Sequence, residues 1–205
     1  VQAFLRSIKP GTNPWFAEFA CSGGLPPGMV RWGVLTHIGM GADFINFFRF
    51  DEVPHGQERD GTSVVGLHRK PGRFHHEIAS VAKELARARP LLEGSTAPRA
   101  EVAILFSYDN HVEFARNQHP EFFAGFCGNG YSIHLSRHLG AIVRRNIRCD
   151  IVQPGDDFSA YRVLIVPALF LLPPGLAEKI SHFADCGGTV VVCSFSGFAD
   201  ENGRL

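Results

Sequence analysis

Apolar and polar positions fall in blocks that read as strands alternating with helices. Pro14-Trp-Phe-Ala-Glu-Phe19 is a short apolar run and predicts a strand ending on an acid. Pro27-Gly28 then opens a helix from Met29 to about Met40, with Val30, Val34, Leu35 and Ile38 at helical spacing and Gly39 and Gly41 to close it. Ala42 to Phe48 predicts a second buried strand. The stretch from Arg49 to about Gly72 is polar and long, and loops of that length in compact domains usually carry function. Phe74 to about Ala88 predicts an amphipathic helix with Ile78, Val81, Ala82 and Leu85 on one face. Val1 to Ile8 reads as the tail of an earlier helix.

Helical periodicity then runs into Pro90, followed by Gly94-Ser95-Thr96 and Pro98, a cluster of breakers that marks a joint between two halves. Beyond it, Glu101 to Phe106 is apolar enough to be a strand buried on both faces. Ser107 to Gly130 reads as a long loop carrying Tyr108, Phe114, Phe122, Phe123 and Phe126. More aromatics stand there than a loop facing water needs, so they are expected to cover a neighbouring domain or subunit. A helix from Ser132 to about Asn146 points Ile133, Leu135, Leu139, Ile142 and Val143 inward. Strand Cys149–Val152, strand Arg162–Pro167, helix Pro174–Cys186 and strand Thr189–Cys193 complete the series. Strands alternating with helices of this length imply parallel βαβ units. This half therefore predicts a doubly wound α/β sheet, cut off at Leu205 before its final elements.

Composition changes this picture little. The 205 residues carry 20 basic and 20 acidic side chains, which argues against a dedicated nucleic-acid surface. No apolar run is long enough to span a membrane, and the start lacks the features of a signal peptide. The five cysteines, Cys21, Cys127, Cys149, Cys186 and Cys193, never fall at C-x2-C spacing, so a zinc knuckle is excluded. An odd number of scattered thiols fits a reducing, cytoplasmic setting. Phe, at 18 residues against 3 Tyr, fits either a heavy core or an aromatic-walled cleft.

Among candidate chemical groups, Glu18 stands out. A carboxylate at the C-terminal end of a buried parallel strand, followed by small residues, stands on the face where α/β active sites are built. Arg49, at the end of the next strand, could pair with Glu18 and keep it ionised, or serve a structural role. Asp51 and Glu52 read as a solvated loop. His75 and His76 diverge on a helix and cannot easily share an ion. His134 and His138 lie one turn apart and could ligate a metal, but the sequence places no third ligand. Cys193 ends a strand without the Gly-x-Cys-x-Gly elbow of an amidotransferase nucleophile, which favours a buried thiol. No metal or cofactor is expected, and no phosphate-binding glycine loop follows strand 101–106.

Pro14-Trp-Phe-Ala-Glu18, Gly23-Gly24, Pro27-Gly28-Met29-Val-Arg31-Trp32, Gly41-Ala42-Asp43 and Phe47-Phe48-Arg49-Phe50, in this order, resemble glycoside hydrolase family 42, the β-galactosidases. The resemblance implies that residues 1–97 are the C-terminal portion of a TIM barrel, with Glu18 as the nucleophile ending its seventh strand. Gly56-Gln57-Glu58 matches a G-x-E whose Glu contacts the sugar, so Glu58 and Arg49 are the implied substrate-binding residues. Gly187-Gly188 and Ser196-Gly197-Phe198-Ala199-Asp200-Glu201 resemble the close of that family's trimerisation domain. Residues 98–205 are thereby implied to be a flavodoxin-like, glutamine amidotransferase-like sheet that assembles a homotrimer. Gly61 stands where the family often has a sugar-binding His. No Asn-Glu dipeptide occurs, so the acid/base Glu is implied to lie upstream and the isolated chain to be inactive. Two alternatives remain open from the residues: a non-catalytic oligomerisation module, and an amidotransferase-like enzyme using Cys193.

Overall fold

The computed structural model describes residues 6–8, 11–21, 24–56, 63–116 and 130–205. The chain divides into two compact units, Val1–Pro98 and Arg99–Leu205.

The first unit holds β1 (Trp15–Ala20), α1 (Met29–Gly39), β2 (Phe44–Phe48) and α2 (Arg73–Leu92). The two strands pair in parallel, and both helices pack against one face of the pair. Cys21, Val30, Val34 and Val81 are buried there against Phe19, Ile45 and Phe47. Gly33 lets α1 approach closely, because a Cβ at that position would stand 2.6 Å from the Phe19 ring. An ion pair ties the helices together: both carboxylate oxygens of Glu84 on α2 accept from Arg31 Nε on α1 at 2.9 and 3.0 Å. Within α2, Arg73 meets Glu77 one turn on at 2.8 Å. Glu77 also accepts the Gly28 N–H at the start of α1.

Helix α2 differs from expectation. It continues through Pro90 to Leu92 instead of stopping before it. Proline here removes only the bond to the Ala86 carbonyl, in the last turn, where few intrahelical bonds remain to be lost. The helix ends once Ser95 donates both its N–H and its hydroxyl to the Leu92 carbonyl.

The second unit contains β3 (Val102–Leu105), α3 (Tyr108–Arg116), α4 (Gly130–Val143), β4 (Cys149–Val152), β5 (Val163–Val166), β6 (Leu171–Leu172), α5 (Leu176–Asp185), β7 (Thr189–Val192) and β8 (Ala199–Asp200). Four strands form a parallel sheet in the order β4-β3-β5-β7. Period-two alternation sends its side chains to opposite faces. Ile104 and Ile165 meet Leu135 and Leu139 of α4, whereas Ala103, Leu105, Leu164 and Val166 meet Leu176 and Phe183 of α5. Gly188 is required by packing, since a Cβ there would collide with the Phe183 ring.

Three features were not anticipated. Residues 108–116 form a helix where a loop was expected. Ser107 caps it by accepting the Asn110 N–H at 3.2 Å, and Asn110 and Phe114 are buried one turn apart. Phe114 stacks on Tyr131 at 5.5 Å, so this ring packs within its own unit rather than covering a neighbour. Tyr108 is exposed, and Phe122, Phe123 and Phe126 lie outside the described residues. Next, α4 runs two residues earlier than expected and stops sooner, leaving Ile133 and Val143 half exposed. Finally, β6 and β8 form a separate two-stranded parallel pair. Asn110 anchors it to α3: its Oδ1 accepts the Leu171 N–H at 2.9 Å and its Nδ2 donates to the Leu171 carbonyl at 3.1 Å.

Candidate functional site

Glu18 lies within β1, two residues before its end rather than at it. The pairing explains why its side chain is nonetheless presented. Phe16 pairs with Ile45 and Phe19 with Phe47, so Ala17 and Glu18 together stand opposite Asn46 alone. This is a β-bulge, a device that bends a strand and re-aims a side chain. Asn46 secures it by donating its Nδ2 to the Ala17 carbonyl at 3.1 Å. Phe16 and Phe19 then both turn toward the helices, around the His37 ring, while Ala17 and Glu18 are exposed. Trp15 and Phe44 form a tilted aromatic pair, centroids 5.1 Å apart, and are also exposed. Sequence reasoning found Glu18 but missed Asn46, whose cue is a polar residue inside the apolar run 44–48.

Arg49 follows β2 directly, one residue beyond the Phe48–Ala20 pair, so it and Glu18 come to the same C-terminal end of the strand pair. The segment after it is held by backbone rather than left free. The Arg49 and Phe50 carbonyls accept the N–H groups of Val64 and Val65, and Ser63, Val64 and Val65 are buried. Asp51 is not merely solvated, since it pairs with Arg69 Nε at 2.8 Å. Glu58 and Gly61 lie outside the described residues. Cys21, just past β1, is fully buried; burial first, and Glu77 second, push its thiol up to about 11. It is an inert core thiol.

In the second unit, burial also pushes the Cys193 thiol up, opposite to the activation that a cysteine nucleophile needs. Ser196, in the closing motif, accepts the Leu169 N–H and donates to the Val166 carbonyl. Asp200 Oδ1 accepts the N–H groups of Asn202 and Arg204. That motif builds turns. Among the described residues, no helix is long and apolar enough to cross a membrane.

The sequence profile described as "Beta-galactosidase trimerisation domain" matches residues 100–205, and that described as "Beta-galactosidase" matches residues 2–88. The chain belongs to the family-42 β-galactosidases. Beta-galactosidase BgaB of Geobacillus sp. (strain Y412MC61) is 33% identical over 183 residues, covering 88% of this chain and 26% of its own. Beta-galactosidase GalA of Bacillus licheniformis is 32% identical over 177 residues, covering 86% and 25%. The chain thus spans about a quarter of the length of these family-42 relatives. Its fold is that of the β-galactosidase from Bacillus circulans sp. alkalophilus, with a TM-score of 0.87 at 24% identity over 100% of this chain and 31% of that one. A catalytic mutant of Gan42B, a GH42 β-galactosidase from G. stearothermophilus, gives a TM-score of 0.83 at 25% identity, over 100% and 30%.

Proposed function

We propose that the full-length protein carrying this chain is a retaining glycoside hydrolase that removes terminal β-linked galactose or a related sugar, with Glu18 as its nucleophile. The observation that carries this reading is Glu18 itself, presented by a bulge on the open side of a parallel pair in a family-42 chain. In this reading residues 1–97 are the last two strand-helix units of a TIM barrel. A parallel pair covered by helices on one face and exposed on the other suits a barrel wall whose remaining strands complete it. Residues 98–205 are read as a flavodoxin-like trimerisation domain. Within the four-stranded sheet the order β4-β3-β5-β7 is second-first-third-fourth in chain order, which supports the flavodoxin-like reading.

The chemistry follows from two carboxyl groups about 5–5.5 Å apart. Glu18 attacks the anomeric carbon as the acid/base Glu, supplied from outside this chain, protonates the departing oxygen. Water then hydrolyses the glycosyl-enzyme ester with the same Glu acting as base. Arg49 and Glu58 contact the sugar. The protein works in the cytoplasm as a homotrimer without a cofactor, and the isolated chain hydrolyses nothing.

The test is turnover of an aryl β-galactoside by the full-length protein and its Glu18→Gln and Glu18→Ala variants. Both variants should fold and lose turnover, because neither forms the covalent intermediate. Azide should restore aryl release in Glu18→Ala and yield the α-galactosyl azide. Near-parental turnover in Glu18→Gln would remove Glu18 from the mechanism.

A further inference from the structure

The sequence offered two histidines one turn apart and no partner for them; the fold supplies the partner. His134 and His138 sit on α4 with ring centroids 4.4 Å apart, and Cys193 Sγ lies 3.4 Å from His138 Nε2. One ligand atom from each of the three lies within 4.8 Å of the others, and all three residues are half-buried. Among the described residues, no other group of three such side chains converges in this way. We propose that His134, His138 and Cys193 form a binding site for a divalent transition metal of the zinc class, with water completing a tetrahedron.

The tautomer is already set for this role. His138 Nδ1 is 2.9 Å from the His134 carbonyl, which can only accept, so Nδ1 carries the proton and Nε2 turns its lone pair to Cys193. Such a bond from the remote ring nitrogen to a backbone carbonyl is the usual support of a metal-binding histidine. Bond lengths of about 2.3 Å to sulfur and 2.0–2.1 Å to nitrogen place tetrahedral ligand atoms about 3.5 Å apart. The Sγ–Nε2 separation of 3.4 Å already meets that spacing, and the His134 ligand atom lies within 4.8 Å of both. Both supports are rigid. Leu135 and Leu139 press α4 onto the sheet, while the Cys193 N–H donates to the Val166 carbonyl and continues the ladder of β7. One thiolate and two imidazoles favour zinc over magnesium or calcium. Without an ion the thiol donates to Nε2; when the metal–sulfur bond forms, that proton leaves to solvent.

Cobalt(II) serves as the spectroscopic probe. The full-length protein, reduced and stripped with chelator, should develop a thiolate-to-cobalt charge-transfer band in the near ultraviolet. Strong visible bands of a tetrahedral ion should accompany it, and zinc should abolish both. Cys193→Ser should lose the charge-transfer band. His134→Gln and His138→Gln should each weaken zinc binding by more than the roughly 10–100-fold that loss of a supporting hydrogen-bond partner costs. Cys186→Ser, at an exposed thiol 3.6 Å from His182, should change nothing. A second measurement needs no variant: zinc should protect Cys193, but not Cys186, from alkylation read by peptide mass. No band in the parent, a band surviving in Cys193→Ser, histidine variants that bind zinc as the parent does, or alkylation of Cys193 indifferent to zinc would each overturn the assignment.

Discussion

Asn110 is a fully buried amide that treats Leu171 as a strand neighbour would, accepting from its N–H and donating to its carbonyl. Asn110→Ala removes both partners at once. Each buried backbone group left without a partner costs about 1–3 kcal/mol, so together they cost about 2–6 kcal/mol, against a typical domain stability of about 5–15 kcal/mol. Asn110→Asp is the sharper perturbation because it keeps the shape and changes one atom. The oxygen replacing Nδ2 meets the Leu171 carbonyl at the donor's former distance of 3.1 Å, acceptor against acceptor. Taking up a proton restores the donor, so the folded state raises the pKa of this carboxyl above its unfolded value of about 3.9. The sign follows: the carboxyl's stabilising form is fully present below the unfolded pKa and is lost as pH rises through the folded one. Asn110→Asp should therefore lie near the parent at about pH 4 and fall toward Asn110→Ala by about pH 7. Hydrogen exchange by mass spectrometry on peptides covering 108–116 and 168–174 reads this locally. A loss of about 4 kcal/mol corresponds to exchange faster by about a thousandfold at neutral pH, relative to the parent at the same pH. Unchanged protection in Asn110→Asp at neutral pH, or a deficit that grows as pH falls, would refute the bidentate pairing.

Tyr131 is buried, and burial pushes its hydroxyl up to about 12, partly opposed by the Ser107 N–H it accepts. The neutral form is the folded one, so stability should be intact below about pH 10 and decline by about 2–3 kcal/mol toward pH 12. Tyr131→Phe should lose about 1–3 kcal/mol at neutral pH but shed this alkaline decline, and parallel urea midpoints for the two proteins from neutral to alkaline pH would contradict it. Gly33→Ala should lower the melting temperature through collision with Phe19, at a cost of about 1–3 kcal/mol, and Phe19→Leu should recover part of the loss; an unaltered Gly33→Ala melt would disprove the close approach. Light scattering of the full-length protein should give the mass of three subunits, and a monomer would end the trimer proposal.

What the sequence disclosed follows physical strength. Strand 163–166 and helix 176–185 stood out because an apolar run and a Pro-Pro-Gly start each determine their local structure alone. Helix 108–116 did not, since its burial depends on Asn110 finding Leu171, a contact across 61 residues. Its one local cue was the capping Ser107. At the candidate site, the identity of Glu18 could be read from the chain, but its facing could not. Which way a strand residue points depends on its pairing, and a bulge exists only when two strands have met. The third member of the His134–His138 group was hidden for the same reason, standing 55 residues away on another element.

The bulge at Ala17 and Glu18 also constrains which changes this stretch can absorb. Because one strand carries an extra residue opposite Asn46, the number of residues between Phe16 and Phe19 sets the bend independently of what Glu18 does chemically. Removing Ala17 would leave every remaining side chain chemically intact and restore a regular ladder. Glu18 would then alternate outward between Phe16 and Phe19, directly opposite Asn46, on a strand without the bend and without the Ala17 carbonyl that Asn46 now holds. Substitution at 17 by another small residue keeps the count. Deletion therefore removes the bend and the Asn46 anchor together, whereas a replacement at 17 leaves in place the backbone carbonyl that Asn46 grips.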